Sequence, residues 1–215
     1  MNLIAKRLAH LLAENAPDTF YEDEIRYGLE IYLGALFQLL LIILVAMLLG
    51  IAGEVAVVAM AAALYRRYSG GAHCQAFYRC TLTSLVAFNL FGLASNYLPL
   101  SYWSYYIILT GVCSAMIIRC YVPVDNPGLR ITDEAIRAKR RQQSYGVILL
   151  VIMASILLQY IQGAEIFSVA LLIGLMWQNF TLIPAGHKCT CFLDHIFGKM
   201  EKMTRERGYH NDKEI

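Results

Sequence analysis

The residues from Arg66 to Cys80 read Arg-Arg-Tyr-Ser-Gly-Gly-Ala-His-Cys-Gln-Ala-Phe-Tyr-Arg-Cys, the densest polar stretch between the apolar runs of this 215-residue chain. His73 and Cys80 are its chemistry-bearing pair. A thiol is a weak nucleophile until ionised, and an adjacent imidazole can take its proton and later deliver it to a leaving amine. That is the chemistry of a cysteine peptidase. Cys74 is a second candidate nucleophile by the same logic, although on a helix its side chain points about 100° away from His73. Arg66, Arg67, Arg79 and the start of the following helix add positive potential that favours thiolate. The same arginines suit a substrate carboxylate. On residue types alone, a structural or incidental role for the His and the Cys stays open beside the catalytic one.

Spacing sets a geometric condition. If Ala72 to Leu98 is one helix, His73 and Cys80 lie about 20° short of two full turns apart and share a face. Their Cα atoms are then about 10.5 Å apart, too far for an imidazole to hold a thiol at about 3 Å. Gly70 and Gly71, which permit backbone conformations that other residues resist, must fold His73 back, or the first turn must unwind.

The elements that hold this stretch are lipid-spanning helices. The chain is 58% hydrophobic and 16% charged, against about 45 to 50% and about 25% in soluble domains, and its mean hydropathy is +0.51. A net charge of +2, with no basic stripe interleaved with aromatics, excludes a nucleic-acid partner. Met1 to Asn15 lacks an uninterrupted apolar region and a small-residue cleavage site, so no signal peptide is expected and the first span targets the chain to the membrane. Five apolar runs read directly as spans: Ile31–Ile51, Leu82–Leu98, Trp103–Ile118, Tyr145–Ile161 and Ile166–Ile183. A sixth, Val55–Leu64, is short of the about 17 to 25 residues a span needs. It crosses only by including Tyr65–Ser69, with Arg66 and Arg67 snorkelling to the interface, and a re-entrant segment is its rival.

All 18 Lys and Arg residues fall in the N-terminal tail, the second and fourth connections or the C-terminal tail. Basic residues collect on the cytoplasmic side, so six crossings with both termini inside fit best. The expected fold is an all-α polytopic membrane protein of about six transmembrane helices. It has three parts: an amphipathic interfacial segment over residues 1–30, built on Leu3, Ile4, Leu8, Leu11 and Leu12, a transmembrane domain over 31–186, and a cytoplasmic polar tail over 187–215, expected to fray over Lys199–Ile215. The amides Gln38, Asn89, Gln178 and Asn179 tie helices together, whereas a transporter would make them its working residues. Gly92, Gly111, Ala115 and Gly174 allow close helix contacts and fit a homodimer. Cys74, Cys80, Cys189 and Cys191 face a reducing cytoplasm, and Cys113 and Cys120 lie in or at the end of a span, so all six thiols are expected reduced. His187, Cys189, Cys191 and His195 are zinc-ligand types at an unusual spacing and read as interfacial residues; neither metal nor cofactor is expected.

The string Arg-x-x-Ser-Gly-Gly-x-His-x-x-x-x-x-x-Cys at Arg66 to Cys80, after a short apolar segment and before another span, resembles the signature of the accessory gene regulator B (AgrB) family. These are membrane endopeptidases of bacterial quorum sensing. The resemblance extends to the length, the six apolar runs and Pro-Val-Asp-Asn-Pro at Pro123–Pro127, and covers residues 31 to 190. It implies that the protein cuts the C-terminal tail from an AgrD-like propeptide through a Cys80 acyl-thioester and closes the retained part into a thiolactone or lactone. His73 then serves as general base and afterwards acid, with Arg66, Gly70, Gly71 and Arg79 supporting substrate and loop. The site faces the cytoplasm of the bacterial cell membrane. A thioester keeps the carbonyl activated, and a recess against the bilayer disfavours water while holding the peptide's own thiol nearby. The fourth connection, Val122–Gln143, carries Arg130, Arg137, Lys139, Arg140 and Arg141 against Asp125, Asp133 and Glu134. The positive-inside rule and anionic lipid account for it, and the resemblance adds a dock for an acidic propeptide tail. The rival to the whole reading is a six-helix transporter or exporter of a small peptide without proteolytic activity.

Overall fold

The computed structural model describes residues 7, 22–72, 74, 76–125 and 132–211. They are helical almost throughout. In chain order the helices are α1 (Glu22–Leu48), α2 (Ala52–Ser69), α3 (Phe77–Tyr97), α4 (Trp103–Tyr121), α5 (Glu134–Gln159), α6 (Glu165–Leu182) and α7 (Pro184–Asn211), with a single 3-10 turn at Leu100–Tyr102 before α4. The amphipathic segment expected around Leu3–Leu12 and the residues Arg130 and His73 lie outside the described residues.

Local chemistry sets the boundaries. At the end of α1, Gly50 takes φ +71; its N–H donates to the Met47 carbonyl, and the Ile51 N–H reaches back to Ala46 at 3.0 Å. This is a Schellman cap, which lets the chain reverse at once into α2. Asp133 caps α5, accepting from the Ala135 N–H at 2.8 Å, as a short acceptor at this position should. The segment expected as a polar tail instead forms most of α7, whose Asp194 is buried against the bundle.

Gly28–Leu48, Phe77–Tyr97, Leu100–Tyr121, Glu134–Gln159 and Glu165–Leu182 are long and apolar enough to cross a membrane. Each overlaps one of the five runs that the hydropathy pattern marks as spans, most of them ending one to three residues earlier. Leu40, Leu44, Leu48, Leu90, Ile108, Met116 and Leu149 are among many large apolar side chains left exposed, the surface of a helical membrane protein in which lipid is the solvent.

α2 is the exception that organises the rest. Its 18 residues carry Glu54, Arg66 and Arg67, and it lies at the centre, packed most extensively on α6 and also on α3 and α5. At about 1.5 Å per residue it is about 27 Å long. Two glycines bring its neighbours close. A Cβ at Gly92 on α3 would stand 2.3 Å from Val55 Cγ2, and one at Gly174 on α6 would stand 2.5 Å from the Val58 carbonyl oxygen. These small residues serve packing within the chain. Buried polar ties complete the core: Trp103 Nε1 donates to Ser168 Oγ, Ser155 Oγ to the Ser168 carbonyl at 3.1 Å, and Asn179 Nδ2 to Ser114 Oγ at 2.7 Å. Such bonds join helices where no water is at hand to replace them.

Candidate active site

The polar stretch begins where α2 ends. Gly70 caps the helix, its N–H bonded to the Arg66 carbonyl at 3.0 Å, with φ +74 and ψ −150. That region of backbone space is open essentially to glycine alone. A side chain would also find no room, because an ideal Cβ on Gly70 lies 2.3 Å from the Val124 carbonyl oxygen. Gly71, at φ +142, is as tightly enclosed, by Thr181 Oγ1, the Arg66 guanidinium and Gln178 Nε2.

Three segments hold this turn. From one side, the Val124 N–H donates to the Ser69 carbonyl at 2.8 Å. From the other, the Ala72 N–H donates to the Thr181 carbonyl at 3.0 Å, and Gln178 Nε2 donates to the Gly70 carbonyl at 2.7 Å and Ser69 Oγ at 3.1 Å. Arg66 closes the set, donating to the Ala72 carbonyl and, at 3.5 Å, to Gln178 Oε1. Arg66 and Arg67 were expected to snorkel together; only Arg67 is exposed, with its guanidinium 5.9 Å from the Tyr68 ring centre. Successive residues on a helix point about 100° apart. Arg66 therefore faces inward.

α3 starts only at Phe77, so Cys74 and Ala76 precede it outside the helix. The helix expected from Ala72 therefore starts later, at Phe77. Cys80 is half-buried in the first turn of α3, its N–H bonded to the Ala76 carbonyl. The Cys74 thiol, also half-buried, makes hydrogen bonds with Thr83 and Cys80. Burial, then the nearby Cys80 and Asp194, push the Cys74 thiol up to about 11. Cys74 is thus held as a neutral thiol beside Cys80. The Arg66 guanidinium lies within electrostatic reach of both sulfurs.

Other cations expected near substrate have partners inside the protein. Arg79 pairs with Asp194 of α7 at 3.3 Å, donates to the Asp194 carbonyl at 3.2 Å and to Tyr78 Oη at 2.8 Å, and lies over Gly198. Arg137 contacts both carboxylate oxygens of Asp125 at 3.0 Å, and Arg141 donates to the Val122 carbonyl at 3.1 Å. These two hold Val122–Asp125 where it meets Ser69 and Gly70. Lys139 is exposed and Arg140 half-exposed on the same helix. Among the described residues, no group of three His, Cys, Asp or Glu side chains is placed to hold a metal.

Gln178 joins helices as Asn89 and Asn179 do, through Ser69 and Arg66 of α2, and it also holds the loop through the Gly70 carbonyl. The one signal available was its position, an amide inside an apolar run. Thr181, Val124 and Asp194 carried no signal at all: two act through backbone atoms, and Asp194 lies in a segment that reads as a polar tail.

Residues 5–182 match the family described as Accessory gene regulator B. An AgrB-like protein of Halalkalibacterium halodurans is 30% identical over 206 residues, covering 95% of this chain and 98% of the relative. One from Clostridium perfringens strain 13 is 23% identical over 211 residues, with 91% and 99% covered. One from Listeria monocytogenes strain EGD-e is 25% identical over 193 residues, with 86% and 89% covered. No solved structure matches the chain.

Proposed function

Since this chain belongs to the accessory gene regulator B family, whose members take part in processing agr quorum-sensing peptides, we propose that it is a membrane cysteine endopeptidase acting on an AgrD-like propeptide. Cys80 is the nucleophile and His73 the base. The Cys80 sulfur attacks the scissile carbonyl as His73 takes the thiol proton; collapse of the tetrahedral adduct expels the C-terminal fragment, whose amine receives that proton. The retained peptide is left as a thioester on Cys80. Its own internal thiol or hydroxyl then attacks the same carbonyl, forming the ring and returning the Cys80 thiol.

The observation that carries this reading is the placement of Cys80 in the first turn of α3, behind a loop fixed at Gly70 and Ala72 and within reach of the half-buried Arg66 cation. Half-burial keeps water sparse, which favours ring closure over hydrolysis. In this reading the chain crosses the bacterial cell membrane six times, with α2 as the internal crossing, both termini cytoplasmic and the loop at the cytoplasmic face. Residues 31–186 form the peptidase domain. Lys139 and Arg140, with Arg130, steer an acidic propeptide tail.

The test is co-expression with a small propeptide encoded beside the gene. The expected result is tail release and a thioester adduct trapped on Cys80, both absent from Cys80→Ala and from His73→Ala at equal membrane levels. Normal processing by Cys80→Ala would refute the assignment.

A further inference from the structure

Gln178 is 1% exposed on a membrane-spanning helix. A buried amide must find partners or carry a desolvation cost of about 1 to 3 kcal/mol. Its neighbour Asn179 finds one on another helix, Ser114. Gln178 reaches another helix and, beyond it, a turn. Nε2 donates to Ser69 Oγ and to the Gly70 carbonyl, and Oε1 accepts from Arg66, whose other terminal nitrogen donates to the Ala72 carbonyl. The amide and the guanidinium together fix the two carbonyls that flank Gly71, and a Cβ on Gly71 would meet both side chains within 3.2 Å.

We propose that Gln178 is a positioning residue of the peptidase, setting the Ser69–Ala72 turn through the Gly70 carbonyl and Arg66 without touching substrate. The inference rests on the reading of Cys80 as nucleophile. The geometry is specific: one side chain on α6 engages two groups of a single turn, built on two glycines at positive φ, and the Arg66 guanidinium that holds a third. Removing it leaves the Gly70 carbonyl and Arg66 each short of a partner, and the turn relaxes. Substrate contacts are unaffected, so the rate of the chemical step falls while substrate affinity does not.

The test uses full-length protein in proteoliposomes with synthetic propeptide. Gln178→Met keeps volume in an apolar setting; it is expected to lower kcat at least about 30-fold with KM within about threefold. Gln178→Glu keeps an acceptor for Arg66 and loses the donor to Gly70, so its kcat falls between the two. Asn179→Leu removes an equally buried amide that does not reach the loop and is expected to keep kcat within about threefold. Maleimide labelling of Cys74, read by peptide mapping, needs no substrate and is expected to speed up at least about tenfold in Gln178→Met and not in Asn179→Leu. Equal kcat losses in the two, or wild-type kcat and labelling in Gln178→Met, overturn the inference. Should Gln178→Met not reach the membrane, Gln178→Glu decides, and wild-type kcat there overturns it. A wild-type chain that processes nothing, while Cys74 labelling still responds to Gln178→Met, would sink the peptidase reading and leave the positioning role of Gln178 standing.

Discussion

Gly70→Ala isolates the turn from the chemistry, because the residue touches no reacting group. Two costs follow from its geometry. At φ +74 and ψ −150 a residue with a Cβ pays about 1 to 3 kcal/mol in backbone strain. The Cβ would also stand 2.3 Å from the Val124 carbonyl oxygen, and Val124 can retreat only by giving up its 2.8 Å bond to Ser69, worth about 0.5 to 1.5 kcal/mol. Together these come to about 2 to 4 kcal/mol, set against a turn rather than against the helices, so the protein inserts normally but holds the competent turn in a small fraction of molecules. At about 1.4 kcal/mol per factor of ten, kcat/KM should drop about 30- to 1,000-fold. The assay is tail release from propeptide in proteoliposomes, normalised to inserted protein. Gly146 on α5 has nothing within 4 Å of a built Cβ, and Gly146→Ala is the matched control, expected to keep full activity. Gly70→Ala processing within about threefold of wild type would refute the argument that this turn conformation is required.

Three further outcomes are expected. Because the Cys74 thiol is pushed up to about 11, the fold favours its protonated form; that contribution is complete below the ordinary thiol range and fades as pH rises through 11, leaving roughly one Cys74 in a thousand ionised at pH 8. Cys74→Ser should therefore process propeptide at the wild-type rate at neutral pH while Cys80→Ser is inactive, and alkylation of Cys74 should become appreciable only above about pH 10. Asp194→Asn removes the charge that faces Arg79 in a largely buried pair, and should lower the melting temperature of detergent-solubilised protein and processing by an amount corresponding to about 1 to 3 kcal/mol; an unchanged melting temperature would show that α7 does not brace α3. Lys139→Glu should raise KM for an acidic-tailed propeptide with kcat kept, an effect that shrinks at high salt, whereas Arg137→Ala, by removing the contacts that tie α5 to Asp125 and the Pro123 carbonyl, should lower kcat instead.

Much of the architecture was legible because hydropathy reports directly on contact with lipid: all five apolar runs became helices fit to cross a bilayer. α2 was harder for a physical reason. A helix enclosed by α3, α5 and α6 gets its apolar environment from protein, so its own sequence can be short on hydrophobicity and still lie at the centre. The Gly pair and the Arg were legible as a constellation, since a turn that tight leaves a compositional trace. The side-chain partners were not. Whether Arg79 meets a substrate carboxylate or Asp194, separated from it by 115 positions, depends on how α7 returns to the bundle, and the polar composition of that segment gave no hint of the return. Likewise the basic run on α5 reads as one patch in sequence, while helical rotation divides it, turning Arg137 and Arg141 toward Val122–Asp125 and leaving Lys139 outside.

The same rotation decides the chemistry at the end of α2. Two adjacent arginines at a membrane interface would by default both reach for water, where screening makes each worth little to a sulfur several ångströms away. Here one does and the other does not. A guanidinium turned inward must satisfy a fork of five N–H groups that never deprotonates, and the Ala72 carbonyl and Gln178 Oε1 supply two of the acceptors it needs. The cation that results is partly shielded from solvent and bonded to the turn near the thiols. Shape and charge are thereby supplied by one residue: the carbonyl that anchors Arg66 is part of the turn, so a change that loosens the turn also moves the positive charge away from the sulfur. That coupling predicts a loop that tolerates little change, with glycine at both bends and buried amide and hydroxyl groups closing around them, although the proposed nucleophile itself stands on a separate helix.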